Sequence, residues 1–164
     1  MQFLHWLRKF LIYKILKRKT FGVRVAIFDQ NKILLVRHRY NDFWVFPGGG
    51  IKNKELKNQN LIEESAIREI QEEVLIEIKK PLIKFSEYKN TTGGKNDTVI
   101  LFVAKKWKFL DNKKQSILDK IEILESKWFD IKDLPTSISV ATKNRIFEII
   151  SYYQDQNFQI SHDW

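Results

Sequence analysis

The 164-residue sequence contains no cysteine, only three prolines, and no acidic residue before Asp29. Without cysteine, disulfides and thiolate metal sites are excluded, and nothing marks the chain for an oxidising compartment. A long apolar run is missing too. The nearest approach, residues 1–19, is too short and too charged to cross a bilayer, and Lys14 interrupts what would be the apolar stretch of a signal peptide. There is no internal repeat and no low-complexity linker. With 43% hydrophobic residues, the composition is that of one soluble globular domain, and a cytoplasmic location is the expectation.

The missing acids make the N-terminus basic. Arg8, Lys9, Lys14, Lys17, Arg18, Lys19 and Arg24 all precede Asp29, against a formal net charge of +9. On a helix, Phe3, Leu4, Leu7, Phe10 and Leu11 form a stripe opposite Gln2, His5, Arg8 and Lys9. Three readings stand for residues 1–19: an interfacial helix on the inner membrane face, an extra helix packed on the domain or on a second copy in a homodimer, and an organellar targeting sequence.

The chain is organised around Phe46 to Ile76. If Leu61 to Val74 is helical, Glu69, Glu72 and Glu73 fall on adjoining parts of one surface. An all-oxygen cluster of that kind suits Mg²⁺ or Mn²⁺ rather than zinc. The bland alternative is a solvated helix face with Arg68 paired to Glu64 and Glu72. What favours a site is the sequence before the helix. Pro47-Gly48-Gly49-Gly50 follows the strand-like run Phe43 to Phe46 and offers backbone that an ion or phosphate can approach without interference from Cβ.

At this point the chain resembles the Nudix hydrolases (MutT-like), whose box places Gly and Glu six apart and then Arg-Glu, an aliphatic, Glu-Glu, a Gly and an aliphatic. Gly49 with Glu55 fits the first half, and Arg68, Glu69, Ile70, Glu72, Glu73 and Ile76 fit the second. The box departs from the pattern twice. Twelve residues separate Glu55 from Arg68 where the family has seven, so an enlarged loop, Leu56 to Asn60, is expected before the helix, with Asn60 and Glu63 as a capping box. Glu64 then stands as a substitute for Glu55 in holding Arg68. Leu75 occupies the place of the glycine that closes the helix, which predicts a different exit or strain at φ > 0.

Outside the box, Thr20 to Phe28 and Lys32 to Arg37 read as strands around an Asp29-Gln30-Asn31 turn, and Ile76 to Tyr88 and Thr98 to Lys108 as two more around residues 90–97. The Gly93-Gly94 pair reads as loop flexibility. Arg24, Arg37, His38 and Arg39 form a basic rim; the resemblance implies that Arg24, Arg37 and Arg39, with Gly48, Gly49 and Gly50, meet substrate. It also implies that Glu122, six residues before Trp128, reaches the metals or takes the water proton, with Glu125 as the alternative. A closing helix is expected over Ala141 to Gln154, with Ile146, Phe147, Ile149 and Ile150 available for the core.

The resemblance implies an α/β fold, the Nudix α/β/α sandwich with a mixed sheet, over residues 20–155, preceded by the 1–19 segment and followed by a tail at 156–164. The implied function is metal-dependent cleavage of the diphosphate in a nucleoside diphosphate linked to another moiety. Glu69, Glu72, Glu73 and the Gly48 carbonyl would hold Mg²⁺ or Mn²⁺, and Glu122 or a box glutamate would accept a proton. The partner expected is a small nucleotide-type substrate, with no specific nucleic acid. The alternatives are an RNA 5′-end pyrophosphohydrolase or RNA-binding protein, and a catalytically idle, membrane-associated ligand sensor. Gly48 weighs against the RNA-end branch, which tends to carry Gln after the Pro.

Overall fold

The computed structural model describes residues 20–90, 96–110 and 122–155. The expectations for residues 1–19, for the Gly93-Gly94 pair and for the 156–164 tail fall outside them. The first strands arise where the sequence alternates β-branched and aromatic residues: β1 (Thr20–Asp29), β2 (Lys32–His38) and the short β3 (Trp44–Val45). Helix α1 (Gln59–Val74) follows, then β4 (Ile76–Ile78), β5 (Ile83–Asn90), β6 (Asp97–Ala104), β7 (Trp107–Phe109), β8 (Ile123–Asp130) and α2 (Val140–Asp155).

The main sheet runs β3-β2-β1-β6-β5, with β8 on β2; β1 and β6 are parallel and the other pairs antiparallel, so the sheet is mixed. Strand alternation feeds both faces. Val23, Val25 and Ile27 of β1 pack toward Ile62, Ala66 and Ile70 of α1, while Ala26 and Phe28 pack toward Ile146, Ile149 and Tyr153 of α2. The result is the expected sandwich, a sheet between helices. Phe147 departs from the expectation: it is exposed, because the stripe of α2 that reaches the sheet runs through Ile146, Ile149 and Tyr153.

Two strands expected to be continuous are broken. The segment from Ile76 to Tyr88 divides into β4 and β5 at Lys79 to Leu82, where the Lys80–Pro81 peptide is cis. Thr98 to Lys108 divides at Lys105-Lys106, and the two short pieces β4 and β7 pair with each other beside α1. A proline inside a strand removes a ladder donor, which accounts for the first break.

The enlarged loop is more ordered than a polar bulge. Glu55–Lys57 form a 3₁₀ turn, Leu56 packs against the core, and α1 begins at Gln59. Asn58 rather than Asn60 is the N-cap, its side chain accepting from the Asn60 N–H at 2.9 Å. Glu63 completes no capping box; it accepts from the Leu82 N–H at 2.9 Å and ties the helix to the residue just before β5. At the other end Leu75 is the C-cap in the left-handed region, φ 55° and ψ 38°. A β-carbon there is strained, and Leu75 contributes to neither hydrophobic cluster. Leu75→Gly is therefore expected to raise the unfolding free energy by about 0.5–1 kcal/mol, read from urea midpoints at unchanged m.

Candidate functional site

Strands β1 and β2 are paired only at Phe28↔Ile33 and Asp29↔Lys32, beside their connecting turn. Farther along β1 the glycine loop takes the place of β2. The Val25 N–H donates to the Pro47 carbonyl (3.0 Å), Val23 N–H to Gly49 (2.9 Å), and Ile51 N–H back to Phe21 (2.8 Å). The loop is thus zipped to the centre of the sheet, facing α1.

Helix α1 delivers its acids by its own periodicity. Ile62, Ala66, Ile70 and Glu73 lie on one buried stripe, so Glu73 enters where an apolar residue would otherwise stand and is 7% exposed. A buried carboxylate needs a donor. Glu73 Oε2 finds one in the Gly48 N–H at 2.7 Å. Burial, with Glu69 and Glu122 nearby, pushes its pKa up to about 7, against the lowering effect of the Gly48 hydrogen bond and Arg24. One turn earlier Glu69 lies against Gly49, so close that a Cβ on that glycine would stand 2.0 Å from Oε2. Burial raises the Glu69 pKa as well; Arg68 opposes the rise, and Glu72 and Glu122 add to it.

Arg68 spans the outer side of the cluster. Its guanidinium lies 3.1 Å from Glu69, 3.7 Å from Glu55 and 3.9 Å from Glu72. Glu55 therefore holds Arg68 despite the enlarged loop, because the 3₁₀ turn folds it back; it also accepts from the Lys52 N–H at 2.8 Å. Glu64 is not the substitute, since it pairs with Lys80. Among the described residues no three His, Asp or Glu side chains are preassembled around one cation position. Glu69 and Glu72 are turned toward Arg68, and Glu73 toward Gly48.

Two cavities meet at Arg24. One, of about 310 Å³, is lined by Gly48, Gly49, Gly50, Tyr40, Glu122 and Arg24. The other, of about 440 Å³, lies toward α2 and is lined by Arg24, Phe46, Tyr88, Leu101, Thr142 and Arg145. Arg24 Nη1 is buried without a hydrogen-bond partner, a donor placed where a ligand oxygen can satisfy it. In the larger cavity the Arg145 guanidinium lies 3.7 Å from the Tyr88 ring centre, and the Tyr88 hydroxyl donates to Glu148 at 2.7 Å.

The other basic residues lie elsewhere. Arg37 pairs with Glu125 across β2 and β8 and stacks over Trp44; Arg39 is exposed; neither lines the two cavities. Sequence reasoning passed over Tyr40, Tyr88 and Arg145, whose contacts join elements far apart in the chain.

A sequence model of the NUDIX domain matches residues 18–148. The chain belongs to the NUDIX family. NUDIX hydrolases in general use divalent metals and small nucleotide-type substrates. The NUDIX chain is 33% identical over 131 residues to the mRNA-decapping enzyme subunit 2 of Saccharomyces cerevisiae; the match covers 78% of this chain and 12% of that much longer protein. Among solved structures, a UDP-X diphosphatase is 25% identical with TM-score 0.62, over 90% of this chain and 72% of that one. A MutT NUDIX hydrolase from Burkholderia pseudomallei has the same fold at 20% identity and TM-score 0.62, over 80% of this chain and 98% of that one. Among the described residues of this NUDIX chain, no helix is long and apolar enough to cross a membrane.

Proposed function

We propose that this NUDIX chain hydrolyses the diphosphate of a nucleoside diphosphate linked to another moiety, a nucleotide or nucleotide sugar, with Mg²⁺ or Mn²⁺. The observation that carries the reading is the closure of the glycine loop on the box helix, with Gly48 N–H on Glu73 and Gly49 against Glu69. The donor set fits a hard divalent cation: it is all oxygen, from Glu69, Glu72, Glu73 and the Gly48 carbonyl, and burial raises the pKa of Glu69 and Glu73, a cost of ionisation that a cation's charge would offset. Such a cation supplies charge neutralisation on phosphate and acidification of a bound water. The chain's own residues do the rest. Arg24 offers its unpartnered Nη1 to a phosphate oxygen between the two cavities, and the larger cavity receives the linked moiety between Phe46 and Arg145. Glu122, on the rim of the smaller cavity, accepts the proton.

The test is a panel of nucleoside triphosphates, ADP-ribose, UDP-glucose and coenzymes with Mg²⁺ or Mn²⁺, with products separated by chromatography. Cleavage within the diphosphate is expected; silence across the panel, with ligands nonetheless bound, would favour a sensor.

A second reading, hydrolysis at an RNA 5′ end, is favoured by the similarity to the yeast decapping subunit and by the basic charge. Capped and triphosphorylated RNA belong in the same panel, and their preferential cleavage would displace the first reading. Residues 1–19 are proposed as a separable element for location or assembly, on a membrane face or in a homodimer. Their removal is expected to leave hydrolysis intact while abolishing salt-sensitive binding to anionic vesicles or changing the oligomer.

A further inference from the structure

We propose that Tyr40 is a positioning residue for Glu122, holding its carboxylate on the rim of the glycine-loop cavity, and that the buried ring of His38 is the brace that fixes Tyr40. The proposal rests on the reading of Glu122 as proton acceptor. Its first observation is direct: the Tyr40 hydroxyl donates to Glu122 Oε1 at 3.1 Å, and both residues line the cavity of Gly48 to Gly50.

The second is how the backbone brings the pair together. In the β2–β8 ladder Arg37 faces Glu125 but His38 faces Ile123, so β8 carries one extra residue, Leu124, which is 45% exposed. A bulge of this kind re-aims the side chains beyond it. A regular ladder would set Ile123 opposite Arg39; the bulge sets Glu122 there instead, and the Arg39 N–H donates to the Glu122 carbonyl at 3.0 Å. The chain then turns, Asn41 N–H to the His38 carbonyl at 3.1 Å, which carries Tyr40 back over His38. Ring centres are 5.0 Å apart at 23°.

The third observation is His38 itself. It is 3% exposed, and neither ring nitrogen has a hydrogen-bond partner. Burial, with Arg24 nearby, lowers its pKa against the pull of Glu122, so the ring is neutral at physiological pH. A neutral ring whose nitrogens meet nothing offers its face. Tyr40 is otherwise 72% exposed and has little else to hold it. An exposed carboxylate just ahead of a strand has several rotamers of similar energy, and a fixed hydroxyl selects one.

The test uses the full-length protein with Mg²⁺ and, in turn, ADP-ribose, UDP-glucose and capped RNA. Tyr40→Phe is expected to lower kcat about five- to tenfold with KM and melting temperature unchanged, and Glu122→Gln about a hundredfold. The double variant is expected to lose no more than Glu122→Gln alone, since the tyrosine acts only through the glutamate. His38→Phe, which keeps a flat ring, retains parental kcat, whereas His38→Leu behaves like Tyr40→Phe. Losses that multiply in the double variant, or a Tyr40→Phe enzyme as fast as the parent, overturn the proposal. If no probe is cleaved, the reading of function fails, and crystal structures decide the positioning separately. Glu122 is expected to turn away in Tyr40→Phe, and an unmoved carboxylate overturns the proposal.

Discussion

Glu73→Gln is expected to make the metal-free protein about 3 kcal/mol more stable at pH 8 while lowering metal-dependent hydrolysis a hundredfold or more. The stability estimate follows from a carboxyl that titrates at about 7 in the folded state and near 4.5 when unfolded. Below pH 4.5 both states hold the proton and the group contributes nothing. Between 4.5 and 7 the folded state still holds it while the unfolded state has released it, so stability falls as pH rises. Above 7 the full cost of a buried charge is present. Glutamine removes that cost and keeps an oxygen to accept from Gly48. Urea unfolding in chelator at pH 5 and pH 8 checks the prediction: the parent should weaken across that interval, and the variant should do so much less. An equal pH dependence in both would show that Glu73 is ionised without penalty. Full turnover in Glu73→Gln would remove it from the metal assignment.

Alanine scanning of the three consecutive glycines is expected to separate folding from catalysis in three steps. At Gly50 a Cβ meets nothing within 4 Å, so Gly50→Ala should be neutral. At Gly49 the new methyl displaces the flexible end of Glu69, standing 2.0 Å from Oε2 and 2.5 Å from Cδ. That change should leave the fold close to parental stability and remove most activity, because the carboxylate is pushed off its station. At Gly48 the Cβ would stand 2.3 Å from the Val23 carbonyl oxygen, with φ at +134°, and neither backbone can yield cheaply. Gly48→Ala should therefore cost about 3 kcal/mol or more in stability. Melting curves beside initial rates distinguish the three. A Gly49→Ala enzyme with parental rate would contradict the placement of Glu69.

Local periodicity carried much of this fold and less of its site. The strands β1 and β2, the gathering of Glu69, Glu72 and Glu73 on α1 and the strain at Leu75 are consequences of residues close in sequence, and each was legible there. The division of β4 from β5 had a cue in Pro81, but an apolar run on either side outweighed it. The choice of Asn58 over Asn60 as cap depends on where the 3₁₀ turn ends, which two similar residues two apart do not disclose. The Arg68–Glu55 contact was obscured for the same reason, since counting residues cannot show a turn folding back. That Arg37 stands opposite Glu125 follows from the β2–β8 register, which pairs residues far apart in the chain. Tyr40 drew no notice because its partner is 82 positions away in the chain.

The zipping of the glycine loop along β1 has a consequence for binding entropy. A run of three glycines is among the most freely disordered stretches a chain can contain, and ordering it is correspondingly costly. Here Val23, Val25 and Ile51 hydrogen-bond that run into the centre of the sheet, so its disorder is surrendered when the domain folds. A ligand arriving at Gly48 to Gly50 meets backbone already in place, and its affinity carries no charge for arranging it.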